Sequence, residues 1–184
     1  MLKHKDPVKV ALFLFKTGAG AVELRFKNMP SYKLLGIAKK IAALAKKYKK
    51  TLLINDRPDV ALASGACGVH VGSGDMSVRA MRGLLKPKSI VGKTVHSLKE
   101  AKKARREKVN YVSAGPIFST PLKASLKPKG VNFIKKIKKR VSVPVLAIGG
   151  INSRNAKTVF RKGSDGVCVT RAIFEAKKII KESA

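Results

Sequence analysis

Two carboxylates stand where buried apolar runs give out. In Thr51-Leu52-Leu53-Ile54-Asn55-Asp56-Arg57 a short β-favouring stretch ends abruptly in an amide and an acid. A buried parallel strand reads this way when its C-terminal end opens onto a polar site. The segment Gly68-Val69-His70-Val71-Gly72-Ser73-Gly74-Asp75 repeats the pattern and again ends in a carboxylate. The chain has only 10 Asp+Glu, so two acids at the ends of neighbouring strands suggest a divalent cation.

The other strand ends carry cations and bare amides. Glu23, Arg25 and Lys27 alternate along one strand, which sends all three side chains to one face. Gly92-Lys93-Thr94 leads to His96, and Gly115-Pro116-Ile117-Phe118-Ser119-Thr120 leads to Lys123. Gly149-Gly150-Ile151-Asn152 and Val169-Thr170-Arg171 combine backbone amides with helix starts, the usual cradle for a phosphate late in a barrel. No nucleophile–base pair stands out, and His70 and His96 read as structural. Such a set suits phosphorylated ligands and a Mg2+ ion, which together would stabilise a departing pyrophosphate.

The elements that must position these groups alternate along the chain. Strands are expected at 21–26, 51–54, 68–71, 89–92, 110–114, 143–148 and 165–169. Helices are expected at 7–16, 31–48, 58–64, 77–85, 97–107, 131–139, 153–161 and 171–182. Leu34, Leu35, Ile37, Ala38, Ile41, Ala42, Leu44 and Ala45 form an apolar helical stripe, and Ser97 with Glu100 makes a capping box. Ser153 or Asn152 can cap the penultimate helix. Alternating strands and helices imply a parallel sheet with helices outside. The expected class is α/β, a TIM (β/α)8-type barrel missing its N-terminal strand, built as one domain over 1–184. A doubly wound open sheet is the alternative. Against it, Gly18-Ala19-Gly20 precedes a strand and does not form a dinucleotide turn.

Composition narrows the partners. With 41 Lys+Arg the net charge is +31, which predicts salt-dependent, non-specific attraction to polyanions. The Lys pairs recur along the whole chain, as on the solvated faces of ordinary helices. Trp is absent and there are only three Tyr and seven Phe, so a base-stacking platform is not supported. Cys67 and Cys168 read as small buried hydrophobes, not as a disulfide or a zinc site. No membrane span or signal peptide is visible, and a soluble cytoplasmic protein is expected.

These segments together resemble the thiamine phosphate synthase and thiazole tautomerase family, and are closer to the synthases. The resemblance rests on Val22–Asn28, Ile54–Arg57, Gly68–Gly72 with Asp75, and Gly92–Ser97. Gly115–Thr120 with Lys123, Ala147–Ile151 and Gly166–Ile173 complete it. It implies a transferase that joins hydroxymethylpyrimidine pyrophosphate to a thiazole phosphate, releasing pyrophosphate. By that resemblance Asp56 and Asp75 are the Mg2+ ligands. Arg25, Lys27, Asn55, Thr94, Thr120 and Lys123 hold the pyrimidine and its pyrophosphate, Lys123 being the catalytic residue. Gly150, Val169, Thr170 and Arg171 cradle the thiazole phosphate.

The chain departs from the family pattern in several places. Glu23 replaces a Gln, Ser73 and Gly74 replace a Gln and an acid, Leu122 replaces a second Thr, and Arg171 replaces a small hydroxyl residue. The family also opens with a strand before its first helix, and here the first expected element is that helix. Unpaired strand edges would favour self-association. Two alternatives to the synthase are a tautomerase-like enzyme and a non-catalytic phosphate- or nucleic-acid-binding relic. Asp56 could also simply cap the following helix or pair with Arg57.

Overall fold

A computed structural model describes residues 6–183. The chain forms two compact units, Met1–Val91 and Gly92–Ala184. Each is a run of parallel strands alternating with helices.

In the first unit, α1 (Pro7–Lys16) starts on Asp6, whose carboxylate accepts the Val8 N–H at 2.8 Å. Pro7 sits in its first turn, where a missing N–H costs nothing. β1 (Ala21–Leu24), β2 (Thr51–Asn55) and β3 (Gly68–Val71) pair in that order, all parallel, with Leu24 opposite Ile54 and Asn55 opposite His70. The other edge of β1 has no strand partner among the described residues. The connections are α2 (Ser31–Lys47), α3 (Pro58–Ser64) and α4 (Val78–Leu84).

Burial follows the expected stripe. Leu34, Ala38, Ile41 and Ala45 of α2 are buried, four or three residues apart, while the intervening lysines are not. Leu52, Leu53 and Ile54 are all buried, so both faces of β2 are covered. Each such Leu or Ile contributes about 1.5–3 kcal/mol relative to exposure. α3 opens at Pro58 and stops at Gly65, whose φ of 73° is left-handed.

β4 (Ile90–Val95), whose first two residues close the first unit, and β5 (Tyr111–Ala114), β6 (Val145–Ile148) and β7 (Gly166–Cys168) of the second unit also pair in order and in parallel. Between or after them lie α5 (Leu98–Arg106), α6 (Asn132–Lys138), α7 (Ala156–Arg161) and α8 (Ala176–Lys181). The Ser97 hydroxyl accepts the Glu100 N–H at 3.1 Å, and a Glu100 carboxylate oxygen accepts the His96 N–H at 2.8 Å. The capping box read from the sequence is therefore in place.

Several expected elements differ in extent. β1 ends at Leu24, two residues early, because the chain turns through Asn28 and Met29 toward Pro30 at the head of α2. Arg25 and Lys27 consequently lie on a loop. β4 runs on to Val95, so Thr94 is inside a strand and only 8 % exposed. α7 begins at Ala156 and not at Ser153. Asn152 uses its side-chain oxygen on the Arg154 N–H at 2.9 Å, and the Ser153 N–H goes to Glu175 at 2.8 Å. Those bonds satisfy local donors without helix. Cys67 is exposed and Cys168 half-buried, so neither is the core hydrophobe expected; neither is in a disulfide. No helix among the described residues is long and apolar enough to cross a membrane.

Candidate functional site

The end of β2 and the turn after β3 converge on one carboxylate. Asp56 takes a left-handed backbone, φ 59°, which Asp and Asn tolerate better than most residues. Its own N–H donates to the His70 carbonyl at 2.9 Å. One carboxylate oxygen accepts the Gly72 N–H at 3.2 Å, and the other accepts from the Asn55 side-chain amide. Asp75 comes back over Gly72, to whose carbonyl its N–H donates at 3.3 Å. A Cβ on Gly72 would collide with the Asp75 carboxylate, so that glycine makes room for the acid.

Lys27 completes this group. Its ammonium lies 3.7 Å from Asp56 and 3.8 Å from Asp75, bridging the two carboxylates from the loop after β1. Partial burial raises the Asp56 pKa and the adjoining Asp75 carboxyl raises it further, against the Gly72 and Asn55 hydrogen bonds that lower it. The alternatives open to Asp56 are not taken. Arg57 pairs with Asp59 at 2.5 Å and reaches Ser31 at 2.9 Å, and no side chain caps α3.

The donor set fits a hard divalent cation. The two carboxylates stand close enough for Asp75 to oppose the ionisation of Asp56, and they already attract one positive group. Among the described residues no three His, Cys, Asp or Glu side chains gather, so such an ion would take its other ligands from water or from substrate oxygens, as Mg2+ commonly does.

Glu23 stands nearby on β1 with an unusual carboxyl. Surrounding protein raises its pKa from 4.5 to about 7, Asp56 raises it too, and Arg25 pulls it down. The side chain keeps exposed surface, so hydration moderates the shift. Between 4.5 and about 7 the folded chain holds a proton that the unfolded chain releases. Glu23 therefore costs stability as the pH rises through that window. The melting temperature of Glu23→Gln is expected to exceed that of the parent at pH 8, with the gap closing below pH 4.5. Equal melting temperatures at pH 8 would show that Glu23 ionises there without penalty.

In the second unit, the strand ends build a surface of backbone. Ile117 N–H donates to the Ile148 carbonyl at 2.8 Å and Phe118 N–H to Gly149 at 3.0 Å, laying the segment after β5 along the end of β6. The Gly115–Pro116 peptide is cis, and His96 Nδ1 lies 2.5 Å from the Gly115 carbonyl oxygen. Gly149 and Gly150 have φ 98° and 66°. A Cβ on Gly149 would stand 2.6 Å from Pro116, and one on Gly150 would stand 2.5 Å from the Ser119 carbonyl oxygen. Asn155 braces the turn by donating to the Gly150 carbonyl at 3.0 Å.

Ile148 pairs with Cys168, so Gly149-Gly150 and Val169-Thr170-Arg171 leave neighbouring strands at the same end. The N–H groups of Gly150, Thr170 and Arg171 have no acceptor among the described residues. They are available to an anion. Thr94 lies within β4, opposite Ser113. Thr120 precedes a single 3-10 turn, Pro121–Lys123, and Lys123 is exposed with no ion-pair partner among the described residues.

Three local supports are missing from the sequence reading: Gly72 under Asp75, Asn155 under Gly150 and Glu175 under Ser153. Only Asn155 left a local signal, an amide five residues past the glycine that it braces.

Comparison with known proteins gives the family and the fold. The family model for thiamine monophosphate synthase matches residues 2–173. The thiamine-phosphate synthase of Caldanaerobacter subterraneus subsp. tengcongensis is 39% identical over 175 residues, covering 95% of this chain and 82% of the relative. That of Alkaliphilus oremlandii is 38% identical over 184 residues, covering 100% of this chain and 88% of the relative. The solved structure of thiamine phosphate pyrophosphorylase from Pyrococcus furiosus superposes with a TM-score of 0.89 at 32% identity, covering 97% of this chain and 90% of that one. The fold is accordingly of the TIM (β/α)8-barrel type, with seven strands among the described residues and α1 as the first element. With nearly the whole chain matched in sequence and in structure, this protein belongs to the thiamine monophosphate synthase family of transferases.

Proposed function

We propose that this chain is a Mg2+-dependent thiamine phosphate synthase, coupling hydroxymethylpyrimidine pyrophosphate to a thiazole phosphate. The observation that carries the proposal is the Asp56–Asp75 pair with Lys27 at 3.7 and 3.8 Å, at the C-terminal ends of β2 and β3. When bound there, Mg2+ would offset the charge of the pyrophosphate oxygens.

The chain's own residues do the rest. Asp56 and Asp75 hold the ion. Arg25, Lys27 and Asn55 hold the pyrimidine pyrophosphate, as do Thr94, Thr120 and Lys123. Gly150 and the Val169–Arg171 turn offer N–H groups to the thiazole phosphate. In the reaction the bond from the pyrimidine methylene carbon to oxygen breaks, and its electron pair leaves with pyrophosphate. The thiazole nitrogen lone pair then forms the new C–N bond. No proton need be removed, which accords with a site lacking a nucleophile–base pair. On this reading Lys123, exposed and without an ion-pair partner among the described residues, supplies the charge that neutralises the departing pyrophosphate.

The test is product formation by the purified chain given both phosphorylated precursors, with and without Mg2+. Thiamine phosphate that appears only with the metal is the expected result. A folded, monodisperse sample that makes none with the metal present would overturn the assignment and favour a non-catalytic phosphate-binding protein. That second reading draws on the net charge of +31, which gives salt-dependent attraction to polyanions with or without turnover.

A further inference from the structure

We propose that Lys27 is an exchangeable counter-ion: its ammonium and a divalent cation compete for the Asp56–Asp75 pair, and metal entry hands Lys27 over to the pyrophosphate. The inference rests on the metal-dependent reading above and deepens it.

The geometry is that of a loose tether and not of a fixed ion pair. A tight ammonium–carboxylate bond has N···O of about 2.7–2.9 Å. Lys27 stands at 3.7 and 3.8 Å, nearly equidistant from both acids. Its side chain is 51% exposed, against 18% for Asp56 and 29% for Asp75. The carboxylates are the built part. Asp56 is held by Gly72 N–H and by Asn55, and Asp75 is seated over Gly72. Lys27 is the movable part, on the loop between β1 and α2, with no other ion pair among the described residues.

Electrostatics then dictates the exchange. Two carboxylates this close need positive charge between them. An ammonium brings one charge on a flexible stem, whereas a divalent ion brings two and binds carboxylate oxygens directly at about 2.0–2.1 Å for Mg2+. The ion and the ammonium cannot both sit between the acids without repelling each other. Once displaced, Lys27 would stay on its loop within reach of the two acids, free to offer its charge to a pyrophosphate drawn to the ion. Lys27 thus opposes the metal alone and favours the metal–pyrophosphate pair.

The experiment titrates the full chain with Mn2+ by calorimetry or by electron paramagnetic resonance, then titrates inorganic pyrophosphate at saturating Mn2+. It uses the parent, Lys27→Met and the charge-retaining Lys27→Arg. Lys27→Met is expected to bind Mn2+ about two- to fivefold more tightly, the range open to partly exposed ion pairs. It should bind pyrophosphate more weakly in the second titration, while Lys27→Arg stays near the parent in both. General damage to the site would weaken both titrations, so the opposite signs are diagnostic. If the parent binds Mn2+ and Lys27→Met binds it equally or less well, the exchange is wrong and the metal site stands. If the parent itself shows no saturable Mn2+ binding, the metal-dependent reading fails, and the exchange with it.

Discussion

Asp56→Asn is expected to lower synthase turnover by at least about 10²-fold while leaving the melting temperature near that of the parent. The substitution is chosen for the backbone. Asp56 sits at φ 59°, a region that Asn enters nearly as readily as Asp, whereas Ala there costs roughly 1 kcal/mol or more. Asn also keeps a side-chain oxygen for the Gly72 N–H. What it removes is the charge that holds Lys27 and, in the proposed function, the metal, together with the acceptor for the Asn55 amide, which can turn to present its own oxygen. Asp56→Ala should lose the same activity and melt lower as well. Steady-state assays with a parallel melting curve separate the two effects. Full activity in Asp56→Asn would show that its carboxylate is needed only as a hydrogen-bond acceptor, and would remove the metal from the reaction.

Gly150→Ala carries the second large expectation, and here stability and binding fall together. The residue has φ 66°, and its added Cβ would stand 2.5 Å from the Ser119 carbonyl oxygen and 2.7 Å from Phe118 Cβ. Left-handed strain and a shifted backbone together cost about 2–4 kcal/mol. In a chain of this size that lowers the melting temperature by about 4–16 °C. Since the segment around Phe118 would have to move off the end of β6, the KM for the thiazole phosphate should rise more than that for the pyrimidine substrate. Gly20→Ala is the control. No atom lies within 4 Å of its added Cβ, and its backbone is not left-handed. A Gly150→Ala protein with unchanged melting and unchanged KM would mean that the turn yields without penalty and is not a cradle.

Much of the fold was legible because its signals are local. The apolar runs of β2 and β3, the stripe of α2, Pro58 and Gly65 around α3, and the Ser97–Glu100 box all lie within a few residues of the structure that they specify. Their failures are also instructive. Phe26 continues the alternation of β1, yet the strand ends at Leu24 because the approach to Pro30 needs a turn. Ser153 has the chemistry of a cap, but its N–H is satisfied by Glu175, twenty-two residues later. Propensity describes what a segment can do locally, and a partner from elsewhere overrides it.

Residue types at the strand ends were sufficient to mark two acids and a pair of glycines at the ends of strands, because a carboxylate or a bare glycine at the close of a buried strand is visible in one dimension. The relations among them were not. Lys27 lies twenty-nine residues before Asp56 and forty-eight before Asp75, and no spacing rule predicts that one ammonium bridges both. The same holds for Glu23, whose carboxyl is raised by the protein beside it and by Asp56 against the pull of Arg25. It holds for Gly150 too, whose need for a bare backbone comes from Ser119 and Phe118 pressed against it. Chemistry per residue is written in the chain; charge state, exchange of partners and forbidden Cβ positions arise only when parallel strands set distant segments side by side, since desolvation, Coulomb attraction and steric exclusion all act through space.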